Sequence, residues 1–145
     1  MIYLDTSVLL ARLFAEGRSP PDVFWSQTFV SSRLLEFEVF NRVHARGAGA
    51  SHAADARHFI DRVSLLELSA RVLARALLPF PLPVRTLDAL HLATLDFLRD
   101  QGQTLAVATY DQRLAAVQWR WASRLPRSSL AAVPGHRWSC RDLIR

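Results

Sequence analysis

Four acidic residues, Asp5, Glu38, Asp88 and Asp111, hold positions from which they could act together. Carboxylates gathered at one point repel one another, and some must take up protons unless a cation neutralises them. Mg²⁺ or Mn²⁺ suits such a set, because these hard ions prefer oxygen ligands and retain waters. A cation so held acidifies a water for attack on a phosphodiester and stabilises the developing negative charge. Nucleic acid fits this chemistry, since its phosphate oxygens complete the coordination.

Each acid also has a plainer reading. Asp5 ends a short apolar run, Ile2-Tyr3-Leu4, and Asp111 follows the apolar run Leu105-Ala106-Val107-Ala108; a lone Asp there often caps a helix or forms a turn. Asp88 falls in the first turn of a predicted helix, where the helix dipole favours an anion in any protein. Glu38 sits in Leu34-Leu35-Glu36-Phe37-Glu38-Val39-Phe40, unusually apolar surroundings for a charge. Glu36 and Glu38 cannot both point inward from one helix face, so Glu36 is the reserve for the second acid. His91, three residues after Asp88, shares its helical face and is read as a packed or supporting residue before a catalytic one. His44, His52, His58 and His136 form no spacing typical of a zinc site. Phe24, Trp25 and Phe29 are read as core rather than as platforms for bases.

The elements that must position these residues read as short strands alternating with helices. Ile2–Leu4 is the first strand, and Thr6 or Ser7 is expected to cap a helix through Phe14. A short helix follows near Asp22, then a strand over residues 28–31, and Ser32 caps a helix carrying Leu34, Leu35, Val39 and Val43 at helical spacing. Gly47-Ala48-Gly49-Ala50 reads as a turn, residues 51–62 as helix, 63–68 as strand, and Ser69 as the cap of a helix to about Leu77. Pro79, Pro81 and Pro83 make a rigid link. Thr86 opens a helix to about Gly102, and residues 104–108 form a further strand. This order predicts an α/β fold: a central parallel sheet of about four to five short strands flanked by helices in three layers. Asp5 and Asp111 then lie at the carboxyl edge of the sheet, where such folds place their active sites.

Length and charge bound the reading. A chain of 145 residues is about one domain. No apolar run approaches the roughly 20 residues of a membrane span, and Met1-Ile2-Tyr3-Leu4-Asp5 lacks the basic and apolar regions of a secretory signal. The lone Cys140 excludes an internal disulfide, so a soluble cytoplasmic protein is expected. All 18 basic residues are arginine. Residues 1–116 hold 12 arginines and 12 acids, whereas residues 117–145 hold six arginines against Asp142 alone. The net charge of +5 therefore belongs to the tail and carries no nucleic-acid argument for the body.

Four segments resemble the PIN-domain ribonucleases, in particular the VapC-type toxins of toxin–antitoxin pairs. Tyr3-Leu4-Asp5-Thr6-Ser7 is similar to the family's opening strand and first acid. Ser31-Ser32 with Leu35 and Glu38-Val39 resembles the second motif, and Thr109-Tyr110-Asp111-Gln112-Arg113-Leu114 the fourth. The most specific is Arg85-Thr86-Leu87-Asp88-Ala89-Leu90-His91-Leu92-Ala93-Thr94. The resemblance covers residues 1 to about 116, in order. It implies a metal-dependent endoribonuclease in which Asp5, Asp88 and Asp111 hold Mg²⁺ or Mn²⁺ with Glu38 beside them. Thr6, Thr109 and His91 would support the acids from behind. It also implies an RNA substrate, a cognate antitoxin and a homodimer.

From residue 117 the pattern departs. Gln118-Trp119-Arg120-Trp121-Ala122-Ser123-Arg124-Leu125-Pro126-Arg127 has no amphipathic period, and three of the four tryptophans lie beyond residue 116. A flexible basic tail and an RNA-gripping extension are two readings. A third is translation out of frame from about residue 117: with GC-rich codons, a shift of two nucleotides spells an apolar, strand-like Ala-Leu-Gly-Phe-Pro-Leu-Ala-Pro-Leu. Two rivals to the nuclease remain. An aspartate-nucleophile hydrolase usually needs an acid two residues after Asp5, where this chain has Ser7. A non-catalytic PIN-like module that only binds RNA or a partner would leave its clustered carboxylates unused.

Overall fold

The computed structural model describes residues 1–122. Four strands, β1 (Ile2–Leu4), β2 (Phe29–Ser32), β3 (Val63–Leu66) and β4 (Ala106–Ala108), form one sheet in the order β3-β2-β1-β4. Every pairing is parallel, with Ile2 opposite both Phe29 and Ala106. The sheet is wound outward from β1 in both directions, so the strand order reverses between β1 and β4. Crevices for ligands open at such a reversal, beyond the carboxyl ends of the strands.

Alternation along these short strands decides the layers. Leu4, Phe29, Val63 and Ala108 face one side, where they pack with Val8 and Leu9 of α1 (Thr6–Leu13), Leu35, Val39 and Val43 of α2 (Leu34–Ala45), and Ala56 and Ile60 of α3 (Gly49–Ile60). Tyr3, Val30 and Val107 face the other side against Leu95 and Leu98 of α5 (Thr86–Asp100), and α4 (Ala70–Ala76) packs on α5. Helices thus cover both faces, as the alternating pattern predicts. Phe24, Trp25 and Phe29 stack on one another inside the first core, as expected of core residues.

Several boundaries differ from the sequence reading. The cap of α1 is Asp5, whose extended backbone lets its carboxylate accept from the Ser7 N–H. Thr6 is already helical and its hydroxyl is engaged elsewhere. Ser32 is not the cap of α2. The cap is Arg33, which makes no side-chain cap bond, and Ser32 one residue earlier accepts from the Leu34 N–H. Ser69 does cap α4, through the Val72 N–H. The turn after α2 needs only Gly47, at φ +64°, so α3 starts at Gly49 and not at 51. Strand β3 stops at Leu66 because Glu67 and Ser69 close a turn, and β4 is three residues long because β1 offers no more to pair with. The segment near Asp22 is a 3₁₀ turn, Asp22–Ser26.

Helix α6 (Gln112–Ala122) corrects the reading that periodicity ends at 116. Leu114 and Val117 are buried against Leu92, and Trp121 stands edge-on to Phe80, a helical stripe spaced three and four residues apart. Phe80, Leu82 and Val84 of the proline-rich link close this third cluster. The remainder of the tail, with Cys140 and His136, lies outside the described residues. No helix among the described residues is long and apolar enough to cross a membrane.

Candidate active site

Asp5, Glu38, Asp88 and Asp111 all line one cleft of about 580 Å³ at the carboxyl edge of the sheet. They come from the end of β1, from α2, from the first turn of α5 and from the loop after β4. Thr6, Ser7, Asn41, Arg42, Arg85 and His91 share the lining. Glu36 does not. It turns away to bind Arg33 at 3.2 Å and Arg57, whose hydrogen bond, opposed by partial burial, holds its carboxyl below the usual range.

The acids that have partners are gripped by one oxygen. Asp5 Oδ2 accepts from the Ser7 N–H at 3.1 Å, from the Thr109 hydroxyl at 2.9 Å and from the Ser7 hydroxyl. Ser7 Oγ in turn accepts from the Tyr110 N–H, and Thr109 Oγ1 from the Asp111 N–H, both at 2.9 Å. The loop after β4 is therefore laced to the start of α1 through two hydroxyls. Asp111 Oδ1 accepts from the N–H groups of Arg113 and Leu114, which opens α6. Glu38 Oε2 accepts from the Thr6 hydroxyl and from His91 Nε2 at 3.0 Å. The second oxygen of Asp5, Asp111 and Glu38 takes none of these bonds.

Behind Glu38 runs a buried chain. His91, only 3 % exposed, meets the Tyr3 hydroxyl through Nδ1 at 2.9 Å, and that hydroxyl accepts from the Ser32 N–H. Burial disfavours charge on both His91 and Glu38. Their hydrogen bond and mutual attraction outweigh it, so His91 is raised and Glu38 lowered from their ordinary values. Each thereby favours the charged form of the other. Burial pushes the Tyr3 hydroxyl up, which keeps it neutral.

Asp88 is different. Its Oδ2 is buried with no hydrogen-bond partner, and its carboxyl is raised by burial, then by the charges of Asp111 and Asp5, against a backbone hydrogen bond from Arg85. An orphaned carboxylate oxygen beside two further carboxylates is a site short of positive charge, and oxygen-only donors suit a hard divalent cation. No group of three His, Cys, Asp or Glu side chains among the described residues is arranged to hold an ion as it stands. The fit to Mg²⁺ or Mn²⁺ is thus one of donor chemistry rather than of preformed geometry.

Sequence reasoning missed Ser7, Tyr3, Arg42 and Arg85. Ser7 stands two residues after Asp5, the usual reach of an Asp-led turn. Tyr3 sits one strand position from Leu4 and so faces the opposite layer. Arg42 is one helical turn from Glu38, and Arg85 is three residues before Asp88.

A parallel sheet reversing at β1, with acids from four segments at its carboxyl edge, defines the class. The family model described as PIN domain matches residues 2–120, and the chain belongs to that family. Its relatives narrow the placement. It is 31% identical over 121 residues to Ribonuclease VapC47 of Mycobacterium tuberculosis, covering 79% of this chain and 87% of that protein. Ribonuclease VapC46 of the same organism is 38% identical over 119 residues, covering 78% and 86%. Ribonuclease VapC35 is 32% identical over 120 residues. The chain is a VapC-type member of the PIN-domain family. No solved structure matches it at the same stringency.

Proposed function

We propose that the protein is a metal-dependent endoribonuclease, the toxin of a toxin–antitoxin pair, cutting RNA phosphodiester bonds at this cleft. The observation that carries the reading is the convergence on one cleft of Asp5, Glu38, Asp88 and Asp111, with Asp88 Oδ2 buried and unpartnered. The ribonuclease names of the relatives support the same activity. Asp5, Asp88 and Asp111 would hold Mg²⁺ or Mn²⁺. When bound, such an ion supplies an acidified water and neutralises charge that develops on the phosphate. The chain itself orients the acids: Ser7 and Thr109 fix the plane of Asp5, while Thr6 and His91 fix that of Glu38.

A fluorogenic RNA assay with Mg²⁺ or Mn²⁺ tests this on the wild type, Asp5→Asn and Asp88→Asn. Cleavage should fall at least about 100-fold in both variants and vanish with EDTA. Equal cleavage by all three proteins removes the assigned site. A wild type that binds RNA without cutting it returns the non-catalytic module. We further infer a cytoplasmic protein that pairs with itself and with an antitoxin. The exposed Leu73, Leu77, Leu78 and Leu87 are apolar surface available for such contacts. Light scattering with and without the product of the adjacent gene tests both.

A further inference from the structure

The acid cleft carries two cations that the acids do not use. Arg42 on α2 and Arg85 at the start of α5 line it from different helices, and both are solvent-exposed. Neither guanidinium is hydrogen-bonded or ion-paired among the described residues. Each guanidinium acts on an acid through its charge, Arg42 on Glu38 and Arg85 on Asp88, and the Arg85 backbone also hydrogen-bonds Asp88. Seven arginines outside the cleft, Arg12, Arg18, Arg33, Arg46, Arg57, Arg71 and Arg75, form ion pairs, and Arg62 binds a backbone carbonyl. Arg99 and Arg113 have no such partner among the described residues but do not line the cleft. An acidic cleft repels a polyanion, so any strand that enters needs compensating cations at the edge of the acids and not among them. A guanidinium not held by a carboxylate offers its planar fork to phosphate oxygens.

We propose that Arg42 and Arg85 are substrate-positioning residues that grip backbone phosphates of single-stranded RNA on either side of the bond to be cut. The inference rests on the nuclease reading for the reaction, but the grip itself needs no catalysis. Phosphate contacts set register and affinity without reading sequence. The two arginines therefore act on any RNA that reaches the cleft, and sequence choice lies with other residues.

The test measures binding of a fluorescein-labelled single-stranded RNA by anisotropy in EDTA, across a salt series. The full-length proteins compared are the wild type, Arg42→Gln, Arg85→Gln, the double variant, both Arg→Lys variants, and Arg71→Gln as a remote charge control. Each glutamine variant should weaken binding roughly tenfold and lower the slope of log Kd against log salt by about 0.7. The lysine variants should keep the slope, and Arg71→Gln should match the wild type. In Mg²⁺ or Mn²⁺, KM should rise in the glutamine variants with little change in kcat. A double variant with wild-type Kd, slope and KM overturns the grip while leaving the nuclease reading standing. A wild type that never cleaves, yet loses binding in the double variant, does the reverse. Loss of binding in Arg71→Gln equal to that in the cleft variants also overturns it, because diffuse charge then explains the effect.

Discussion

Asp88 ionises against opposition from burial and from Asp111 and Asp5, so its folded pKa lies above the ordinary value of 3.8. Protonation is thus easier in the folded state. Its contribution to stability is present at low pH and is lost as pH rises through that raised pKa. At pH 7 without divalent ions, Asp88→Asn should raise Tm by about 2–4 °C. Adding Mn²⁺ should raise the wild type and leave the variant nearly unmoved. Scanning calorimetry in EDTA that shows the variant melting below the wild type contradicts this account. His91 has the opposite logic. Its pKa is raised above 6.5 and that of Glu38 lowered below 4.5, so the pair stabilises fully between those values. The benefit is lost above as His91 deprotonates and below as Glu38 protonates. His91→Ala should cost about 2–3 kcal/mol at pH 6 and distinctly less at pH 9, read by urea denaturation. A pH-independent loss would mean that the ring only fills space.

At the scale of elements, the site depends on where helices begin. Glu38 reaches the cleft, and Glu36 does not, because α2 starts at Leu34 with its first turn tied to Ser32. Ser32→Ala should lower stability by about 1 kcal/mol. It should also reduce RNA cleavage more than a surface cap such as Ser69→Ala, which lies on the helix packed behind α5. Equal activity in the two variants would separate the Ser32 bond from the site. The helices themselves were legible from periodicity, as with Leu35, Val39 and Val43. Their first residues were less so. Asp5, Thr6 and Ser7 can each cap a helix by type, and only the extended backbone at Asp5 decides among them. Strand ends were overestimated for the same reason: residues 104–105 and 67–68 have strand-like composition but no partner to pair with.

For the whole molecule, the body is charge-neutral by formal count and the excess lies in the tail, so the cleft arginines matter more to RNA than the pI of about 10.9 suggests. Helix α6 runs to Ala122, and the family model matches to residue 120. Both run past residue 117 and count against translation out of frame from about there, a proposal that rests on composition alone and makes a definite claim about the gene. The gene should encode, two nucleotides out of register, an apolar strand-like ending. A chain rebuilt in that frame should melt several degrees higher and associate less, measured by calorimetry and light scattering. An immediate stop codon in the shifted frame would end the idea.

Residue types and spacing along the chain determined the alternation of strands and helices, the parallel sheet and the four acids. Each of these rests on local preference: apolar runs, helical period, an Asp after a strand. What only the tertiary structure decided is which oxygens are occupied. Ser7 and Thr109 meet on Asp5 across more than a hundred residues, and Tyr3, His91 and Glu38 join three elements in one buried chain. Arg42 and the Arg85 side chain become notable only beside acids that their guanidinium groups do not bind. Such facts depend on distance and on the supply of partners in space, and neither is written in the order of the residues.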